Sequence, residues 1–75
     1  MDMELIKIQL VQEFEALAEE HSVSASNERL WAKGAPDNET AQMHEENAEY
    51  LFMMAKMYRN MSKRSDMIIE LFMEE

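Results

Sequence analysis

The sequence predicts an all-α fold: a small helical bundle in which an amphipathic N-terminal helix packs on a long C-terminal element. That element is either one kinked helix or a helical hairpin. Three observations lead there. One Gly and one Pro in 75 residues leave almost no punctuation for turns. Met, Glu, Ala and Leu are abundant and β-branched residues few, a composition that favours helix. Apolar residues also recur at spacings of three and four, the signature of a helix with one buried face.

The first helix is expected over about 2–21. Ile6, Leu10, Phe14, Leu17 and His21 form its apolar stripe, widened by Met3, Val11 and Ala18. Glu13, Glu15, Glu19, Glu20 and the glutamines take the other face. Asp2 and Glu4 complement the helix dipole at its start. At the far end His21, as a cation, would favour the last carbonyls.

A connection with a short helix is expected over about 22–36. Ser24 or Ser26 can cap a short helix holding Leu30 and Trp31. Gly34 supplies a stop through the left-handed conformation, and Pro36 blocks continuation. Trp31 is expected to plug the open side of the bundle. The alternative is an exposed anchor for a partner, a role in which Trp is enriched.

The third segment, about 37–75, opens with Asp37 or Asn38 as cap and Glu39 in the first turn. Ala41, Ala48 and Ala55 lie seven apart, as do His44, Leu51 and Tyr58. The result is a heptad-like seam whose small residues admit a close neighbour. It weakens at Ser62 and Ser65, where a break or kink with a serine as new N-cap is expected, and resumes at Ile69 and Phe72. His44 on this seam reads as a partly buried packing residue. Between Tyr50 and Met61 the helix is apolar nearly all round, with Met53, Met54 and Met57 added to Leu51, Phe52 and Tyr58. A helix apolar on every side is normally surrounded, so a second copy or another protein is expected to cover it. Met suits either, since it fills irregular surfaces.

Composition bounds the function. The chain is one domain, 1–75, and short enough that self-association or another staple is expected to support it. It has no Cys, which removes disulfides and thiolate metal sites. The opening MDMELIKIQL has acids where a secretory leader needs basic residues. No apolar run approaches the roughly 20 residues of a membrane span. A cytoplasmic protein with no membrane contact is the expectation. A net charge of −9 argues against direct nucleic-acid binding, which needs clustered Lys and Arg. It suits instead an acidic surface that meets a basic protein face.

Catalytic signals are sparse: no Gly-rich phosphate loop is present, and no Ser, His and acid cluster is evident by spacing. The segment HEENAE, His44 to Glu49, is the one enzymatic candidate. Glu45 and Glu49, or Glu46 and Glu49, can share a helix face and offer oxygen ligands to Mg²⁺. This E-E-x-x-E pattern is similar to the first metal motif of the all-α nucleotide pyrophosphohydrolases of the MazG type. The resemblance covers five residues and implies a metal-dependent nucleotide hydrolase. The family's second motif, E-x-x-D, is absent; Asp66 and Glu70 stand at another spacing.

The sequence is therefore read first as a non-enzymatic acidic interaction module without cofactor. It is expected to form an antiparallel homodimer through Ala48, Leu51, Phe52, Ala55 and Tyr58. It is further expected to bind and inhibit another protein, such as a nucleic-acid-handling enzyme with a basic channel. Glu13, Glu15, Glu19, Glu20, Trp31, Met53, Met54 and Met57 are the partner-binding candidates, with Glu45, Glu46 and Glu49 adding to the acidic surface. Small acidic helical proteins of this general type occur among viral inhibitors of host enzymes and as nucleic-acid mimics, an analogy of class. A nucleotide hydrolase using Glu45, Glu46 and Glu49, and a purely structural assembly subunit, are the alternatives.

Overall fold

The computed structural model describes residues 2–73, and these form three α-helices: α1 Met3–Lys33, α2 Asn38–Lys63 and α3 Ser65–Met73. The all-α expectation holds, with α1 packed along α2 as an antiparallel hairpin. Residues 74 and 75, included in the expected last helix, lie outside the described part.

Asp2 caps α1, its Oδ1 accepting from the Glu4 N–H at 3.0 Å. The helix does not end at His21. It runs on to Lys33, so the expected connection over 22–36 shrinks to residues 34–37. Ser24 and Ser26 sit exposed in the helix interior and cap nothing. The physical reason is tertiary. Ala18, Ala25 and Ala32 are buried and lie seven apart, so one seam continues through the serines and overrides their modest helix propensity. His21 is accordingly mid-helix, where its Nδ1–H donates to the Leu17 carbonyl at 2.7 Å.

Gly34 does end α1, but not in the left-handed conformation. Its φ is −94° and ψ 6°, and its N–H donates to the Leu30 carbonyl at 3.3 Å. Asp37, in extended conformation, then caps α2 by accepting from the Thr40 N–H at 2.7 Å. That bond holds the Asp37 carboxyl below the ordinary carboxylate range.

The core is a pair of alanine ladders. Ala18, Ala25 and Ala32 of α1 face Ala48 and Ala55 of α2, and Ala25 and Ala55 are 0% exposed. Small side chains let two helix backbones approach closely over several turns. Larger residues flank the ladders. Phe14 stacks on Tyr58 with centroids 6.4 Å apart, and His21 lies against the same ring at 5.2 Å. Ser65 is the one buried polar side chain among the described residues, and no large apolar side chain among them is fully buried.

The break between α2 and α3 falls at Arg64, whose φ of −109° and ψ of 26° leave the helical region. Ser65 does not act as an N-cap. Its hydroxyl donates back to the Ser62 carbonyl at 2.6 Å, a serine bond that bends helices. The bend turns α3 toward the start of α1, where Lys7 Nζ and Asp66 Oδ1 meet at 2.9 Å. Asp66 thereby holds the Lys7 amine above its ordinary value.

The product is a slab two helices wide, 54 × 20 × 14 Å. Its radius of gyration is 16.7 Å, against about 11 Å for a compact domain of this length. Its accessible surface is 6041 Å², whereas a compact monomer of this mass exposes about 4,800 Å². A single layer of helices leaves both of its broad faces open.

Two outcomes test this packing. Ala25→Leu or Ala48→Leu forces a branched side chain into the ladder contact and should destabilise the fold by about 1–3 kcal/mol, read by urea unfolding. Gly34→Ala should stabilise it by about 0.4–1 kcal/mol, because Gly34 has negative φ and an added Cβ meets no atom closer than 3.9 Å. A lower midpoint for Gly34→Ala would show that the turn depends on glycine.

Candidate functional site

The hairpin's two broad faces differ in chemistry. Successive helical residues turn by about 100°, so positions flanking the alanine ladder on either side belong to opposite faces. Contacts between the helices fix which side is which. Arg59 of α2 donates to Ser22 Oγ of α1 at 2.9 Å, and the Arg29 guanidinium lies 4.4 Å above the Phe52 ring. These residues share one face. Leu10 of α1 lines a small apolar pocket with Ile68 and Phe72 of α3 on the other.

The Arg29 and Arg59 face is charged except near the start of α1, where Leu5 and Ile8 are exposed on it. Glu15, Glu19, Lys33, Glu45, Glu49, Lys56 and Lys63 continue it at helical spacing and are all exposed. Phe52, the aromatic residue there, is covered by Arg29 in a cation–π contact.

The opposite face is apolar. Leu10, Leu17 and Trp31 come from α1, Met43, Tyr50, Met54, Met57 and Met61 from α2, and Ile68 and Leu71 from α3, with exposed Ser24 and Asn47 interrupting them at the same helical spacing. Trp31 is 56% exposed and Tyr50 62%. Toward α3, Met57, Met61, Met67, Ile68 and Leu71 line an apolar groove. Glu13 and Glu20 border the face along the outer side of α1, and Arg64 borders it on α2. Monomeric proteins rarely leave a contiguous apolar surface of this kind open.

The residues expected at a dimer seam lie elsewhere. Ala48 and Ala55 are buried against α1, Tyr58 is stacked on Phe14, Phe52 is under Arg29, and Leu51 is half-buried. The seam is therefore filled within the chain, which corrects the expectation that a second copy covers it. The sequence held the clue, since α1 repeats alanine at the same spacing as α2. Trp31 is likewise no core plug. Its ring meets His44 edge-on at 5.8 Å and otherwise faces outward, because the helix that carries it never breaks to turn it inward. Met53 points away from both helices' contact at the outer edge, whereas Met54 and Met57 lie on the apolar face.

The acidic candidates do not converge. Glu45 and Glu49 flank a shallow surface with Arg29 and Lys33, so cations already neighbour them. Glu46 lies around the helix beside Glu39, Gln42 and Met43. Gln42 donates to Glu46 at 3.1 Å. Among the described residues no group of three or more His, Asp or Glu side chains is arranged to hold a metal ion. Glu13, Glu15, Glu19 and Glu20 are exposed and spread around the outer half of α1, with no Lys or Arg between Lys7 and Arg29. No helix among the described residues is long and apolar enough to cross a membrane.

One polar pair is inside the hairpin. His44 Nδ1–H donates to Glu28 Oε2 at 2.5 Å, with the side chains 23% and 16% exposed. His44 was expected to be a partly buried packing residue and is one. Glu28 escaped notice because its place on the α1 seam becomes evident only once the helix is known to continue past His21.

Removing one member strands the other. His44→Leu leaves the Glu28 carboxylate part-buried without its donor and should cost about 1–3 kcal/mol. The double variant Glu28→Leu, His44→Leu should recover most of that loss. Urea unfolding of the four proteins of the cycle measures it, and additive losses would show that the two side chains do not depend on each other.

No family model matches the chain, and neither a curated protein nor a solved structure shows significant similarity to it.

Proposed function

We propose that the protein is a non-enzymatic protein-interaction module that binds and modulates another protein. The observation that supports this reading most directly is the division of the hairpin into one apolar and one charged face. A catalytic site needs a concave pocket with converging polar groups. The grooves on this slab are shallow, and its carboxylates diverge. Its exposed chemistry is of the kind that protein interfaces use: aromatic residues and methionines in a connected patch.

The charge suits a basic partner. The outer half of α1 carries Glu13, Glu15, Glu19 and Glu20 without an intervening cation, in a chain of net charge −9. A basic channel of a nucleic-acid-handling enzyme is a surface of the matching sign, and binding there is the inhibitory form of this function. Glu45 and Glu49, beside Arg29 and Lys33, add less to the negative field, and Glu46 stands apart from them beside Glu39.

The experiment is affinity capture from cells of the source organism with three baits: the wild-type chain, a Met54→Glu, Met57→Glu variant, and a variant with Glu13, Glu15, Glu19 and Glu20 changed to Gln. Capture lost with the glutamine variant, and weakening steeply between 50 and 200 mM salt as about two or more surface ion pairs are screened, is the expected result. Mg²⁺-dependent turnover of nucleoside triphosphates that Glu45→Gln abolishes would overturn the reading in favour of a hydrolase.

A further inference from the structure

We infer that the apolar face is covered by a second copy of this chain, and that two hairpins stack face to face into a four-helix bundle with each α1 against the partner's α2. This goes beyond the interaction reading above and rests on it only in taking the apolar face as an interface.

Area selects the kind of occupant. The chain exposes 6041 Å², about 1,200 Å² more than a compact monomer of its mass. A stable dimer buries about 800 Å² on each partner. One stacked copy thus removes most of the excess, and it also turns a single layer of helices into two layers around a common core, the usual minimum for a domain. The radius of gyration of 16.7 Å is set by the 54 Å length, which a second layer leaves unchanged while it thickens the 14 Å dimension.

Charge selects the arrangement. Two layers can stack with their two-fold axis running along the helices or across them. An axis across the helices lays α1 on the partner's α1 and brings Glu13 and Glu20 of both copies onto one edge. An axis along the helices lays α1 on the partner's α2. The ion pair of Lys7 with Asp66 and the stacking of Phe14 on Tyr58 set Glu13 about one turn from the level of Arg64. The second arrangement therefore places Glu13 of each copy beside Arg64 of the other, while the first stacks like charges. Leu17, Tyr50, Met54, Met57 and Met61 then fill the interior, and Trp31 closes the end near the connection between α1 and α2. In this bundle the alanine ladders join helices within a chain and the methionine-rich face joins the chains.

Sedimentation equilibrium of the full chain from 1 to 100 µM tests the inference. A species of twice 8.9 kDa is expected; a folded monomer throughout that range overturns it. Met57→Glu should weaken dimerisation by about 30-fold or more, whereas Met53→Glu at the outer edge should leave it unchanged; equal effects would place the interface elsewhere. Because Met57→Glu can cost helicity along with the dimer, the charge pair supplies a second arm. Glu13→Arg and Arg64→Glu should each weaken the dimer several-fold and together restore it. Failure of the double variant to restore it overturns the arrangement with α1 against the partner's α2. A monomeric wild-type chain that still captures a foreign protein through its apolar face would remove the second copy and leave the interaction reading standing. Absence of any captured protein with the wild-type bait would remove that reading without touching the dimer.

Discussion

Everything in this protein follows from the close contact of two helices along facing alanine ladders. Ala18, Ala25 and Ala32 meet Ala48 and Ala55. A contact made of methyl groups brings backbones near but buries little area for each residue. Cohesion comes from length instead: α1 spans 31 residues and α2 26, and the contact continues past the ladder through Phe14 and Tyr58. The same choice leaves the larger apolar side chains with no room between the helices. They are displaced to the flanks, and on one flank they accumulate.

That displacement explains why so small a chain is both well paired and incompletely buried. The contact between the helices uses the smallest side chains, so the methionines and aromatic residues remain for a further contact. The other flank follows the opposite rule. There Arg59 reaches across the helices to the Ser22 hydroxyl, and the apolar Phe52 is screened by the Arg29 guanidinium. A layer with one solvated and one apolar face is the half-structure from which helical bundles are assembled.

Much of the architecture was legible in the sequence. The heptad alanines of α2, the stop at Gly34, the cap at Asp37 and the break near Ser62 and Ser65 each have a local physical cause. The end of α1 did not. Ser22, Ser24 and Ser26 resemble punctuation, and only the facing ladder of α2 keeps the helix intact through them. This one tertiary effect moved Trp31 from the core to the surface, put Glu28 opposite His44, and turned the presumed interface between chains into the contact within one. The candidate surface was half legible: helical angles identified the excess of apolar sides around Met53 to Met57, but not which of them α1 would cover.

A ladder that repeats every seven residues has a translational ambiguity, because sliding one helix past the other by a heptad puts alanine opposite alanine again. Methyl groups cannot distinguish the two alignments. Glu28 and His44 can. In the native alignment the carboxylate accepts the imidazole N–H; after a slide of one heptad Glu28 would stand opposite Leu51, a charge against a hydrocarbon with no donor in reach. The pair thus acts as a phase marker on an otherwise periodic track, and it gives a repetitive interface a single alignment.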